Sequence, residues 1–103
     1  MKFKVGDKVR VKSYEEIKML PYHHVDKENG DIHGKCEDTD EFGKVIIAHN
    51  SFIDLMFNFC GKEFVVEEVK ESGNYKLKNA GSWHFIACWL ERTQHYVEFF
   101  DEE

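Results

Sequence analysis

Three of the six histidines and one of the three cysteines fall within His23-His24-Val25-Asp26-Lys27-Glu28-Asn29-Gly30-Asp31-Ile32-His33-Gly34-Lys35-Cys36. His33 and Cys36 stand three apart with a glycine between them, a spacing at which a turn of chain lets a ring nitrogen and a thiolate converge on one ion. Zinc accepts imidazole and thiolate in a tetrahedron, and such an ion would order a polar segment that has no core of its own. The expected metal residues are therefore His23, His24, His33 and Cys36, around a structural zinc. Only the His33–Cys36 pair is tightly spaced. Either His23 or His24 could be the third ligand, with Asp31, His49 or Cys60 as a candidate fourth. The competing expectation is a solvated loop whose histidines carry no metal and whose Cys36 is a free thiol.

Catalytic chemistry is less well supplied. Cys88, beside Trp89, could act as a nucleophile with His84 or His49, but no oxyanion hole and no orienting aspartate stand at recognisable spacing. No catalytic residues are expected, and a thiol-dependent hydrolase is the rival reading. Cys60 follows an aromatic run and precedes Gly61, where a small apolar core residue belongs. Glu37-Asp38-Thr39-Asp40-Glu41 departs from the EF-hand loop pattern and reads as a solvated acidic loop. The rings of Trp83, Phe85, Trp89, Tyr96, Phe99 and Phe100 could form a peptide groove, although strand alternation sends some of them into the core.

The elements that must position these groups are mostly strands. Val9 and Val11 alternate with basic residues after the Gly6-Asp7 turn, the period of a half-buried strand. Ser13-Tyr14-Glu15-Glu16 is a capping box for a short helix ended by Pro21. The segment 22–43 is polar, lacks a sustained period and is expected to be a long loop; loops of that length are commonly functional. Lys44–Ala48 reads as a buried strand. Ser51 then starts a helix through Phe59 whose face is Phe52, Leu55, Met56 and Phe59, closed by Gly61. Strands at Glu63–Val69, Asn74–Lys78 and Ser82–Ala87 form a meander, followed by a tight turn at Ala87-Cys88-Trp89 into a last short strand.

At 103 residues with abundant aromatics, the chain is expected to fold around one core over 1–103. The N-terminus lacks the apolar run of a signal peptide, and no stretch approaches the roughly 20 apolar residues of a membrane span. Three widely spaced cysteines suit a reducing compartment, so a cytoplasmic location is expected. The net charge of -6 is unevenly spread: residues 1–14 carry +4, 15–43 carry -6, 44–90 balance, and the tail 91–103 carries -4. Such an acidic surface disfavours a phosphate backbone as ligand, and a basic first strand alone weighs little against it.

Val5-Gly6-Asp7-Lys8-Val9-Arg10-Val11, Phe59-Cys60-Gly61-Lys62, Gly73-Asn74-Tyr75-Lys76-Leu77 and Trp83-His84-Phe85 before Trp89-Leu90-Glu91 together resemble small SH3-like barrel proteins of phages and prophages of Gram-positive bacteria. The resemblance covers residues 3–12 and about 51–91. It implies a mainly β fold, a five-stranded SH3-like barrel with one or two short helices. The chain departs from the family over 13–50, where the family's linker is shorter and less rich in His and Cys; the acidic loop expected at 21–43 is an insertion there, and an acidic tail is expected at 92–103. Small acidic phage proteins include anti-CRISPR inhibitors, so the resemblance also implies a non-enzymatic protein whose partner is a CRISPR effector nuclease, bound through the acidic loop and tail. The alternative is a peptide- or nucleic-acid-binding SH3-like module.

Overall fold

The computed structural model describes residues 1–93; residues 94–103, with Tyr96, Phe99, Phe100 and most of the acidic tail, lie outside the described residues. The fold is mainly β. In chain order its strands are β1 (Lys8–Val11), β2 (His23–Val25), β3 (Ile32–Thr39), β4 (Val45–Phe52), β5 (Glu63–Val69), β6 (Asn74–Leu77), β7 (His84–Ile86) and β8 (Leu90–Arg92), with one short helix, α1 (Tyr14–Lys18), and 3-10 turns at Asp54–Phe59 and Ala87–Trp89. No helix among the described residues is long and apolar enough to cross a membrane.

The strands form two sheets. One has five strands in the order β7-β6-β5-β1-β8, and the other is the antiparallel meander β2-β3-β4. Strand pairing leaves both sheets open, so the closed barrel expected from the sequence is not what the hydrogen bonding forms. Val9 and Val11 of β1 are fully buried and Lys8 is exposed, as the alternation predicts. The buried apolar residues come from both sheets, with Val9, Tyr75, Phe85 and Leu90 on one side and Ile32, Ala48 and Phe52 on the other, joined by Phe3 from the segment before β1. A pair of asparagines also joins the sheets: Asn50 Nδ2 donates to Asn74 Oδ1 and to the His84 carbonyl, both at 2.8 Å.

The expected capping box is present in full. Ser13 Oγ accepts from the Glu16 backbone N–H at 3.1 Å, and Glu16 Oε1 accepts from the Ser13 N–H at 3.0 Å. Ser13→Ala removes one of these bonds and is expected to lower stability by about 1 kcal/mol in denaturant titration.

Two expectations fail on the same principle, that pairing across a sheet overrides local pattern. Residues 22–43 are not a loop: β2 and the whole of β3 lie there, and β3 pairs with β4 over eight residues. Ser51 starts no helix, because β4 continues to Phe52, which pairs with Ile32 and is buried against Trp89. The helix that follows is a 3-10 turn over Asp54–Phe59 with Ile53 as N-cap and no side-chain cap. With three residues per turn its inward positions are Ile53, Met56 and Phe59, so Leu55 points out and is 62% exposed. Gly61 does adopt the left-handed conformation, at φ +79°.

Candidate functional site

Strand alternation decides what the histidine- and cysteine-rich segment can do. Along β3, Ile32 and Asp38 are buried and Lys35 and Glu37 exposed, so even-numbered residues face the core and odd-numbered ones face away. His33 and Cys36 therefore project from opposite faces, and their three-residue spacing, which would suit a turn, separates them on a strand. His24 pairs with His33, their ring centroids 5.2 Å apart on the outer face. His23 pairs with Gly34 on the inner face, the side that also carries Cys36. The four expected ligands are thus split two and two. Among the described residues, no group of three His, Cys, Asp or Glu side chains is placed to hold a metal ion.

The inner pair joins a residue that the spacing did not connect to it. The 3-10 turn Ala87–Trp89, which carries Cys88, packs against β3, which carries Cys36. His23 completes the cluster: its Nε2 lies 3.7 Å from Cys88 Sγ and accepts from the Trp89 indole N–H at 2.9 Å. Its Nδ1 lies 2.8 Å from the Pro21 carbonyl, which fixes Nδ1 as the protonated nitrogen. Gly34 makes this placement possible, because a Cβ there would stand 2.1 Å from His23 Cδ2. The ring lies directly over the glycine Cα.

The histidine expected beside Cys88 was His84 or His49, and the structure puts His23 there instead. The Cys88 thiol is pushed far up, first by the hydrogen bond with Cys36 and then by burial. Cys36 moves the other way, to about 7, chiefly because the Cys88 thiol donates to its thiolate. Alkylation of Cys36 by iodoacetamide should then rise through pH of about 7 and level off above it, since the thiolate is the reactive form. Cys88→Ala removes the donor and should move that curve to higher pH, as peptide-resolved mass spectrometry would read. Cys60 is half-buried against the core as expected, its thiol pushed up by burial.

The acidic run is also placed differently from the expectation. Asp38 is buried: its Oδ1 accepts from the backbone N–H groups of Lys2 at 2.8 Å and Thr39 at 2.7 Å, and its Oδ2 accepts from the Tyr75 hydroxyl. Asp40 organises the β3–β4 turn, its Oδ1 accepting from Phe42 and Lys44 N–H, both at 2.9 Å. This leaves Glu37, Glu41 and Phe42 exposed at the end of a projecting hairpin. Phe42 is 86% exposed, Val45 59% and Ile47 47%. Val45 and Ile47 share the outer face of β4 with His49, opposite Thr39, Glu37 and Lys35 on β3. Between this turn and the β5–β6 turn lies a cleft of about 340 Å³ lined by Met1, Phe42, Ile46 and Val69 among others. Of the rings expected to form a groove, Phe85 and Trp89 are fully buried and Trp83 is partly so.

No protein family, curated protein or solved structure matches the chain.

Proposed function

We propose that this chain is a non-enzymatic protein-binding module of the bacterial cytoplasm whose contact element is the β3–β4 hairpin. The observation that carries the reading is the pairing of exposed apolar groups with acids at one end of one sheet: Phe42, Val45 and Ile47 beside Glu37 and Glu41. Large apolar side chains held outside a core mark contact surfaces when they are contiguous and rimmed by charge. The carboxylates select a basic partner and speed its encounter. A nuclease presents such a surface where it holds nucleic acid, and the resemblance to small phage inhibitors points to a CRISPR effector nuclease.

The order of the five-stranded sheet, with β1 between β5 and β8 and a 3-10 turn joining β7 to β8, supports reading it as an SH3-like scaffold from which β2-β3-β4 is inserted.

The test is binding to a panel of purified CRISPR effector nucleases at rising salt. At least one should bind, with affinity falling as salt screens the acidic hairpin. Absence of binding across the panel, or affinity indifferent to salt, would overturn the proposal.

A further inference from the structure

We propose that His24 and His33 form a two-histidine site for a divalent transition ion of the zinc class, on the outer face of the sheet β2-β3-β4, where the ion clamps β2 to β3. The two residues stand directly opposite each other on neighbouring antiparallel strands, so their side chains leave the sheet next to one another. Their ring centroids are 5.2 Å apart. A zinc–nitrogen bond of about 2.0–2.1 Å, a further distance of about 1.1 Å from nitrogen to ring centre, and a tetrahedral angle at the ion place two ligating rings about 5 Å apart. The pair therefore already has the separation of a chelate. His24 is exposed, so its ring is free to turn a nitrogen toward the ion.

His33 carries the support that a ligand needs. Its Nδ1 lies 2.7 Å from Ser51 Oγ, which faces it from β4. An ion on Nε2 fixes the tautomer in which Nδ1–H donates to that hydroxyl, the kind of outer hydrogen bond that orients a metal-bound imidazole. One ligand is thus held by β4 while the other rides on β2, an edge strand of only three residues.

The surroundings select the ion. Both rings line an open cleft of about 540 Å³ with Tyr22, Lys35, His49 and Ser51, and no Asp or Glu lines it. Nitrogen donors suit zinc, nickel and copper, whereas calcium and magnesium take oxygen ligands. Lys35 brings one opposing charge, its Nζ lying over the Tyr22 ring at 5.7 Å from the centroid. His49 stands opposite Lys35, one row along from the His33–Ser51 pair, and among the described residues no third His, Cys, Asp or Glu completes a group. The remaining positions on the ion fall to water, which the open cleft admits.

The experiment titrates the full chain with zinc chloride at neutral pH, with a phosphine reductant present, and follows binding by calorimetry. The expected event is one equivalent of zinc whose affinity falls roughly tenfold or more in His24→Ala and in His33→Ala, and roughly tenfold in Ser51→Ala, which keeps both ligands and removes only the outer hydrogen bond. His49→Ala and Cys36→Ser should bind as wild type does, which separates this site from the neighbouring histidine and from the thiol on the inner face. Calcium chloride should give no binding. Zinc at ten times its dissociation constant should raise the thermal midpoint of wild type by about 5 °C or more, and should slow amide exchange in His23–Val25. The two alanine variants replace side chains outside the core, and their circular dichroism should match wild type. Absence of zinc binding, binding that survives both His24→Ala and His33→Ala, or binding that Cys36→Ser abolishes would overturn the proposal.

Discussion

Replacing Trp89 by alanine is expected to lower the free energy of unfolding by about 3–5 kcal/mol. Trp89 is fully buried and meets Phe52 of β4 edge-on at 5.2 Å and Phe85 of β7 at 6.5 Å. Those two rings belong to different sheets, so truncating the indole opens a cavity where the sheets join. The same change removes the N–H that His23 Nε2 accepts, loosening the ring that lies beside Gly34 and Cys88. Trp89→Phe keeps most of the apolar area and loses chiefly this hydrogen bond, so about 1 to 2 kcal/mol is expected. Urea titration followed by circular dichroism measures both. A loss below about 1 kcal/mol for Trp89→Ala would contradict a shared core between the sheets.

The second large effect is expected at Asp38. Asp38→Ala should cost about 2–4 kcal/mol, because the Tyr75 hydroxyl and the backbone N–H groups of Lys2 and Thr39 lose their acceptor together. The N-terminal segment depends on this network, since the Phe3 N–H donates to the Tyr75 hydroxyl oxygen at 3.3 Å and Phe3 is buried.

A pH dependence follows from the same network. Burial, and then the hydrogen bond to Asp38, raise the Tyr75 phenol above its ordinary value of 10.0. The folded state therefore binds the phenolic proton more tightly than the unfolded chain. This stabilisation is complete below a pH of about 10 and is lost progressively as pH climbs above it. Asp38→Ala removes one cause of the shift, so its stability should fall less steeply above that pH than wild type does. Equal slopes in the two proteins would count against the assignment.

How much of this was legible in the sequence depended on what each strand turns inward. β1, β5 and β6 alternate valine, leucine or aromatic residues with charge, and their period is plain. The inward positions of β3 after Ile32 are Gly34, Cys36 and Asp38, none of them a large apolar group, so a buried face looked like polar loop. The missed signal was local: Asp40-Glu41-Phe42-Gly43 between two paired segments is hairpin chemistry, with Asp40 accepting from the turn and Gly43 at φ +82°.

The candidate site was half visible for the same reason. The density of His and Cys marked the right segment, but ligand spacing was read for a turn. On a strand the parity of residue number separates His33 from Cys36 and joins His23 to Cys36. Cys88 lies 52 positions beyond Cys36, and the 3-10 turn that carries it packs on β3, a proximity that no local spacing encodes. The helix over 51–59 was misread because its face was drawn at 3.6 residues per turn, whereas the 3-10 geometry aligns Ile53, Met56 and Phe59.

The central claim is that the exposed end of the β3–β4 hairpin is a binding surface. Its most direct measurement compares the affinities of wild type, Phe42→Asp, Ile47→Asp and Leu55→Asp for the CRISPR effector nuclease that binds wild type most tightly. Leu55 is a control of similar exposure on the 3-10 turn outside the hairpin. The account predicts a loss of roughly tenfold or more for each hairpin variant and little change for Leu55→Asp. Hairpin variants that bind as wild type does, or a loss confined to Leu55→Asp, would contradict it.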